Sequence, residues 1–275
     1  MKYKILLLML MVICLGCVKP GGSVKIKSDC KPPTAKAEIL TAISESQRDM
    51  IEFAAKGSAT VRFLADNRTE SLPGVTAYFS DRRNVVIRVS HTFGTAMILG
   101  TNPDWFWCQI SFSKINDYYT GTIAQLESCG AKGLKTFPVA EALGIIDAAS
   151  FEQGSVFFED TEYGLEVSDA QGSRLRSYYF NNCTRRLVRI KYYEQDEPVV
   201  MAEFSDYETL SGNTVLPKDI KVYSAKEDLQ LNIKVDRFVP LSLSQSKKEK
   251  LYTVPQPSTN VQAYELDANC QFQRR

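Results

Sequence analysis

Apolar positions along the chain follow two different periods. Ile39, Leu40, Ile43, Met50, Ile51 and Ala54 recur at helical spacing, with Glu38, Glu45, Arg48, Asp49 and Glu52 mostly on the opposite side. This predicts one amphipathic helix from about Ala35 to Ala54, stopped by Gly57. From Ser58 the period drops to two. Val61 and Phe63 flank Arg62; Val75, Ala77 and Phe79 alternate with Thr76 and Tyr78; Val85, Ile87 and Val89 alternate with Arg88. Further short strands are predicted at 95–99, 105–110 and 118–122, separated by turn signals at Asp66-Asn67, Pro73-Gly74, 80–84 and 101–104. A helical break at about Val139–Ala149 follows, carried by Val139, Leu143 and Ile146. Strands resume at 154–159, 163–168, 174–181, 186–193, 199–207, 216–224 and 230–238, with hairpin turns at 181–184 and 195–198. Lys247-Lys248-Glu249-Lys250 reads as a charged loop, and 251–257 and 261–266 as extended segments. The pattern is that of an α+β chain, mostly antiparallel β, with one or two helices.

Aromatic runs complicate a one-sided sheet. In Trp105-Phe106-Trp107, and again in Tyr118-Tyr119, Tyr178-Tyr179-Phe180 and Tyr192-Tyr193, successive side chains point to opposite faces of a strand. Strands that are apolar on both faces need cover on both. A sandwich core and a sheet with a helix on one face and an apolar ligand on the other both meet that need.

The first residues carry a separate signal. Lys2 and Lys4 precede an apolar run from Ile5 to Leu15, then Gly16 and Cys17. The run is shorter than the ~20 residues that a transmembrane helix needs. It looks like a bacterial lipoprotein signal, in which Cys17 is lipidated and begins the mature protein, although Cys14 stands where a leucine is usual. An ordinary signal peptide with a chance cysteine is the alternative. Residues 1–16 are therefore predicted as signal peptide, 17–33 as lipid anchor and Gly/Pro-containing tether, and 34–275 as a single domain. The tether spans at most ~3.5 Å per residue. Val18, rather than aspartate, follows Cys17, which favours the outer membrane, facing the periplasm.

A formal net charge of +1 gives no basic footprint for nucleic acid. Export implies a compartment in which disulfides persist. With Cys14 removed and Cys17 lipidated, Cys30, Cys108, Cys129, Cys183 and Cys270 remain, an odd set that leaves a thiol over. Domain termini often lie close together, so Cys30–Cys270 is the first predicted bridge and Cys108–Cys129 the second. With one histidine, His91, and no paired cysteine motif, no metal site or cofactor is expected. The signatures of nucleophile elbows, phosphate loops and zinc proteases are missing, so no catalytic residue is expected. His91 beside Ser90, the acids Glu159, Asp160 and Glu162, and the pairs Arg82-Arg83 and Arg185-Arg186 all fall at strand ends or turns, where solvated side chains are the simpler reading.

One helix, a long meander, a helical break and a second meander, in that order, resemble the LolA/LolB-like lipoprotein-carrier superfamily. Trp105-Phe106-Trp107 followed by Tyr118-Tyr119-Thr120-Gly121 is similar to a hairpin of its members. So are 179–181 through 187–193, Phe204-Ser205-Asp206-Tyr207 with Leu216-Pro217-Lys218-Asp219-Ile220, and Leu251-Tyr252-Thr253-Val254-Pro255 in their respective places. The resemblance covers roughly Ala35 to Leu266 and implies an incomplete, curved β-barrel covered by helices, whose concave face takes acyl chains or lipoproteins. On that reading Val61, Phe63, Val85, Ile87, Val89, Phe106 and Ile190 line the concave side beneath Ile39, Leu40 and Ile43, although a closed core without ligand fits the same alternation. LolB-like members expose an apolar residue on a hairpin loop, for which Leu72 in Ser71-Leu72-Pro73-Gly74 is the candidate. The implied role is a membrane-anchored envelope lipoprotein that binds acyl chains or lipoproteins and serves lipid or lipoprotein localisation. A structural or assembly lipoprotein making protein contacts on the same scaffold is the alternative, and a secreted hydrolase the third. Oligomeric state is not legible.

Overall fold

The computed structural model describes residues 33, 35–112, 115–129, 139–146, 148–151, 154–159, 161–169, 171–212, 214–225, 228–257 and 260–275. Cys17, Cys30, Asp160 and most of the predicted tether lie outside them.

The first helix, α1 (Lys36–Ser46), buries Ile39 and Ile43, one turn apart. It ends eight residues before the predicted limit, because Phe53 and Ala54 belong to strand β1 (Phe53–Phe63). There Phe53 pairs with Phe79 on one side and Pro240 on the other, so sheet contacts override the local helical spacing.

The first meander continues with β2 (Arg68–Asp81), β3 (Asn84–His91), β4 (Gly94–Thr101), β5 (Trp105–Phe112) and β6 (Ile115–Thr122). A short helix, α2 (Ile123–Cys129), was not foreseen. The predicted helix at 139–149 is instead two 3-10 turns, Glu141–Leu143 and Ala148–Phe151. Gly144, with φ of 74°, closes the first of them in a conformation that favours glycine. The second meander comprises β7 (Ser155–Phe158), β8 (Glu162–Ser168), β9 (Arg174–Asn181), β10 (Leu187–Glu194), β11 (Glu197–Ser211), β12 (Thr214–Ser224) and β13 (Leu229–Pro240). The predicted charged loop forms α3 (Gln245–Tyr252), after which β14 (Gln262–Leu266) and β15 (Phe272–Arg274) end the chain.

The fifteen strands of the described residues form one sheet, in the order β15-β14-β6-β5-β4-β3-β2-β1-β13-β12-β11-β10-β9-β8-β7. Pairing is antiparallel except between β14 and β6. The sheet is curved and unclosed. Side chains of β3 and β8, far apart in the strand order, meet in one buried cluster, which makes their shared face the concave one. That cluster also holds Ile39 and Ile43 of α1 and Val139, Leu143, Ile145, Ile146 and Phe151 of the 3-10 segment.

The aromatic run of β5 is divided between the two faces. Trp107 points to the convex side, where it packs with Val86, Tyr118 and Tyr252 of α3. Trp107 is 1% exposed, and its ring lies over Gly100 so closely that a Cβ there would come within 2.3 Å of it. Phe106 points the other way and packs with Leu266, Ile123, Leu126 and Phe272. Both faces are thus covered by the chain itself. Glu52 fixes α3 to the sheet, accepting hydrogen bonds from Ser80 Oγ at 2.8 Å, Leu243 N–H at 3.2 Å and Lys248 Nζ.

Candidate functional site

The predicted concave set comes together in large part. Val61, Val85, Ile87, Val89 and Ile190 are buried in one cluster with Ile39 and Ile43, and Leu40 and Phe63 pack against its edge. Phe106 shares the face but sits in a separate pocket of side chains at the β14 end of the sheet. The face is not an open cavity. The 3-10 segment lies on it as a plug, Ala148–Phe151 against α1 and β8, Glu141–Leu143 against β12.

Two surface grooves lie among the described residues. One of about 640 Å³ is lined by Ser80, Asn84, Asn102, Lys248, Glu249 and Tyr252 among others. Another of about 250 Å³ is lined by Glu162, Arg189, Glu203 and Lys221 among others. The larger is lined by polar and apolar groups alike and the smaller mainly by polar ones, and no residue of the predicted set lines either.

Beneath the plug lies a polar cluster that sequence reading missed. Glu141 is only 8% exposed although it is a carboxylate. Three donors from the sheet converge on it. Tyr178 Oη donates to Oε1 at 2.9 Å, Tyr192 Oη donates to Oε2, and Arg176 Nη1 stands 3.4 Å from Oε1. The donors form one patch. Arg176 and Tyr178 are alternate residues of β9, hence on one face, and Tyr192 of β10 is the cross-strand partner of Arg176. Phe151 packs edge-on against Tyr178 with ring centroids 4.5 Å apart.

Burial, and then the neighbouring Glu141 charge, push both phenol pKa values well up, so Tyr178 and Tyr192 stay protonated donors. Burial opposes the charge of Arg176, but Glu141 together with Tyr178 and Tyr192 outweighs it and holds the guanidinium cationic. Taking a carboxylate out of water costs several kcal/mol unless it is paired and hydrogen-bonded. Leaving any of the three donors unmet would cost about 1–3 kcal/mol. The available signal in the sequence was one acid in an otherwise apolar run, Val139 to Ile146.

Leu72 is not a loop residue. It lies within β2 opposite Ala59 and is 4% exposed. Pro73-Gly74 makes no turn, because it spans a bulge where the register with β1 shifts between Gly57 and Ala59; a proline without an N–H is tolerated there. The most exposed large apolar side chain among the described residues of the first meander is Phe93, 93% exposed at the β3–β4 turn. His91 Nδ1 accepts the Phe93 N–H at 2.9 Å and so shapes this tip. Ile115, at the start of β6, is 47% exposed on the next hairpin, which points the same way because β4 and β5 are antiparallel.

Glu162 pairs with Arg189 at 2.5 Å, Arg82 donates to Gln47 at 3.0 Å, and Arg186 lies over the ring of Tyr207. Cys108 is a free thiol, which removes the predicted Cys108–Cys129 bridge. Burial pushes the Cys108 thiol pKa up to about 12. For Cys30–Cys270, the first partner lies outside the described residues.

A curved, unclosed antiparallel sheet with helical cover on its concave face is the LolA-like open barrel. Three solved structures share it. A LolA superfamily protein from Nitrosomonas europaea is 11% identical, with 81% of this chain and 99% of that one covered at a TM-score of 0.52. A domain described as an outer-membrane lipoprotein-sorting protein from Vibrio parahaemolyticus is 9% identical, with 80% and 100% covered at 0.54. A DUF1329 family protein from Desulfovibrio piger is 12% identical, with 78% and 96% covered at 0.54. At such identities the likeness is one of fold. No protein-family model and no curated protein sequence matches this chain.

Proposed function

We propose that this chain is a lipid-anchored envelope lipoprotein, attached through Cys17 and residing at the outer membrane on its periplasmic side, that binds acyl chains of lipids or lipoproteins. The activity is binding, with no bond made or broken. The observation that carries the reading is the construction of the concave face. It is apolar across both meanders, and what covers it, α1 and the 3-10 segment, lies outside the sheet. The cover can therefore lift without unpairing a strand. An acyl chain laid in its place gains ~0.8 kcal/mol per buried methylene, which offsets the burial given up by the plug.

Phe93, with Ile115 at the same end of the strands, takes the role first assigned to Leu72 as a second contact with the bilayer. Equilibrium uptake of a fluorescent fatty acid and of a triacylated peptide tests the reading. Saturable one-to-one binding supports it, and no uptake of either refutes it. Labelling cells with a palmitate analogue tests the anchor, since Cys17→Ser should lose the label; label retained in that variant refutes lipidation at Cys17.

The filled concave face favours a second reading, an assembly lipoprotein that keeps the plug permanently in place and uses its surface for protein contacts. Absence of uptake combined with a stable envelope partner supports that role.

A further inference from the structure

Apolar side chains alone would have sufficed to fill the concave face, yet the plug sets a carboxylate in it. The three groups that receive this carboxylate belong to the sheet, not to the plug. They lie on two neighbouring strands of the rigid scaffold and stay in register with each other whatever the plug does. Two neutral O–H donors and one guanidinium aimed at the same two oxygens are the usual chemistry for holding a carboxylate. The plug has the composition of an amphiphile. Its buried acidic group, Glu141, is set among Val139, Ala142, Leu143, Ile145 and Ile146.

We infer that Arg176, Tyr178 and Tyr192 form a receptor for the carboxylate head of a fatty acid, and that Glu141 occupies this receptor as an internal stand-in for the ligand. The inference rests on the acyl-binding reading above and narrows it to chains with a free carboxylate. A fatty acid displacing the plug puts its head where the Glu141 carboxylate lies and its tail along the face that Leu143 and Ile146 cover. The polarity of that arrangement follows from exposure. The Arg176 side chain retains 31% of its surface, whereas Tyr178 and Tyr192 are 1% and 0% exposed. The head therefore lies toward solvent and the tail runs inward. Glu141 and the ligand compete for one site, so binding is weakened by as much as the stand-in is favoured.

The test is equilibrium dialysis of radiolabelled palmitate and methyl palmitate against the full domain and three variants, each first shown to be folded by circular dichroism. Glu141→Ala should bind palmitate at least tenfold more tightly than the wild type does, and at least tenfold more tightly than it binds the ester. Adding Arg176→Met and Tyr192→Phe to Glu141→Ala should erase the preference for the acid. If Glu141→Ala does not fold, Glu141→Gln, which keeps the shape and loses the charge, should still raise palmitate affinity several-fold and leave the ester unchanged. Equal binding of acid and ester in the folded Glu141 variant overturns the receptor while leaving acyl binding in place. No binding of either by any variant overturns both.

Discussion

Gly100→Ala tests the packing of the convex face directly. Gly100 pairs with Trp107 across the β4–β5 ladder, and an added Cβ would lie 2.3 Å from Trp107 Cζ2 and 2.4 Å from Cε2. Real Cβ contacts do not come so close, so either the ring leaves or the strands separate. Trp107 cannot slide, because Val86, Tyr118 and Tyr252 surround it and only 1% of it is exposed. Expulsion forfeits the burial of about 200 Å², which at ~25 cal/mol per Å² is about 5 kcal/mol. Accommodation by a backbone shift costs about 1–3 kcal/mol. A loss of about 3 kcal/mol is expected, equivalent to roughly 6–12 °C in melting temperature for a domain of this size. Urea denaturation followed by tryptophan fluorescence reads both quantities, and the chain has only Trp105 and Trp107. Emission from the folded variant should shift to the red if the ring is expelled. Gly100→Ala combined with Trp107→Leu should cost no more than Trp107→Leu alone, since the clash is gone. A Gly100→Ala protein with the wild-type midpoint and emission maximum would refute the reasoning.

Phe93→Ser should leave the melting temperature unchanged and lower the partitioning of the unlipidated domain onto anionic vesicles, whereas Leu72→Ser should lower stability by about 2–4 kcal/mol and leave partitioning of the folded fraction alone; co-sedimentation and thermal melts separate the two. Glu52 provides the pH-dependent contact. Burial pushes its carboxyl up, but hydrogen bonds from Lys248, Ser80 and the Leu243 N–H outweigh this and hold it below its ordinary value of 4.5. A depressed folded pKa means stabilisation that is complete above the unfolded value and lost as pH falls through the folded one. Glu52→Gln should therefore flatten the acid limb of the stability curve below about pH 5, which melts across that range will show. Cys108 should resist iodoacetamide at pH 8 in the folded protein and react once urea is added, because its thiol pKa is raised to about 12. Peptide mapping without reductant should recover Cys183 and Cys270 in bonded form and Cys108 as the alkylated thiol.

Strands were the legible part of this chain, because period-two alternation is imposed by the pleat itself. Val85, Ile87 and Val89 fall together on one face as alternation requires. Where the outcome depended on distant partners, the local pattern misled. Ala54 has helical spacing from Ile51, but its neighbours in β2 and β13 make it a strand residue. Pro73-Gly74 carries the composition of a turn and lies in a bulge, which depends on the register of β1 and cannot be read from β2 alone. Lys247 to Lys250 look like a loop because α3 makes one salt bridge and buries one end, and so shows little amphipathic pattern. The cluster around Glu141 was invisible for the same reason. Its donors come from two strands more than thirty residues downstream, and nothing at position 141 reveals that they meet it.

The joint between β1 and β13 bears on how the protein is made. Each meander is built of hairpins between consecutive strands, which form early because their loops are short. β1 and β13 come from opposite ends of the domain and are the neighbours at which the two meanders meet. A chain emerging from the ribosome, or threading across a membrane, completes β1 through β6 long before β13 is available. During that interval β1 is an edge strand, and the apolar side chains of Val61 on β1 and of Val85 and Ile87 on β3 have no second meander to cover them. Assembly thus passes through a state that is half a sheet, sticky along one edge, whose lifetime is set by the rate of chain delivery.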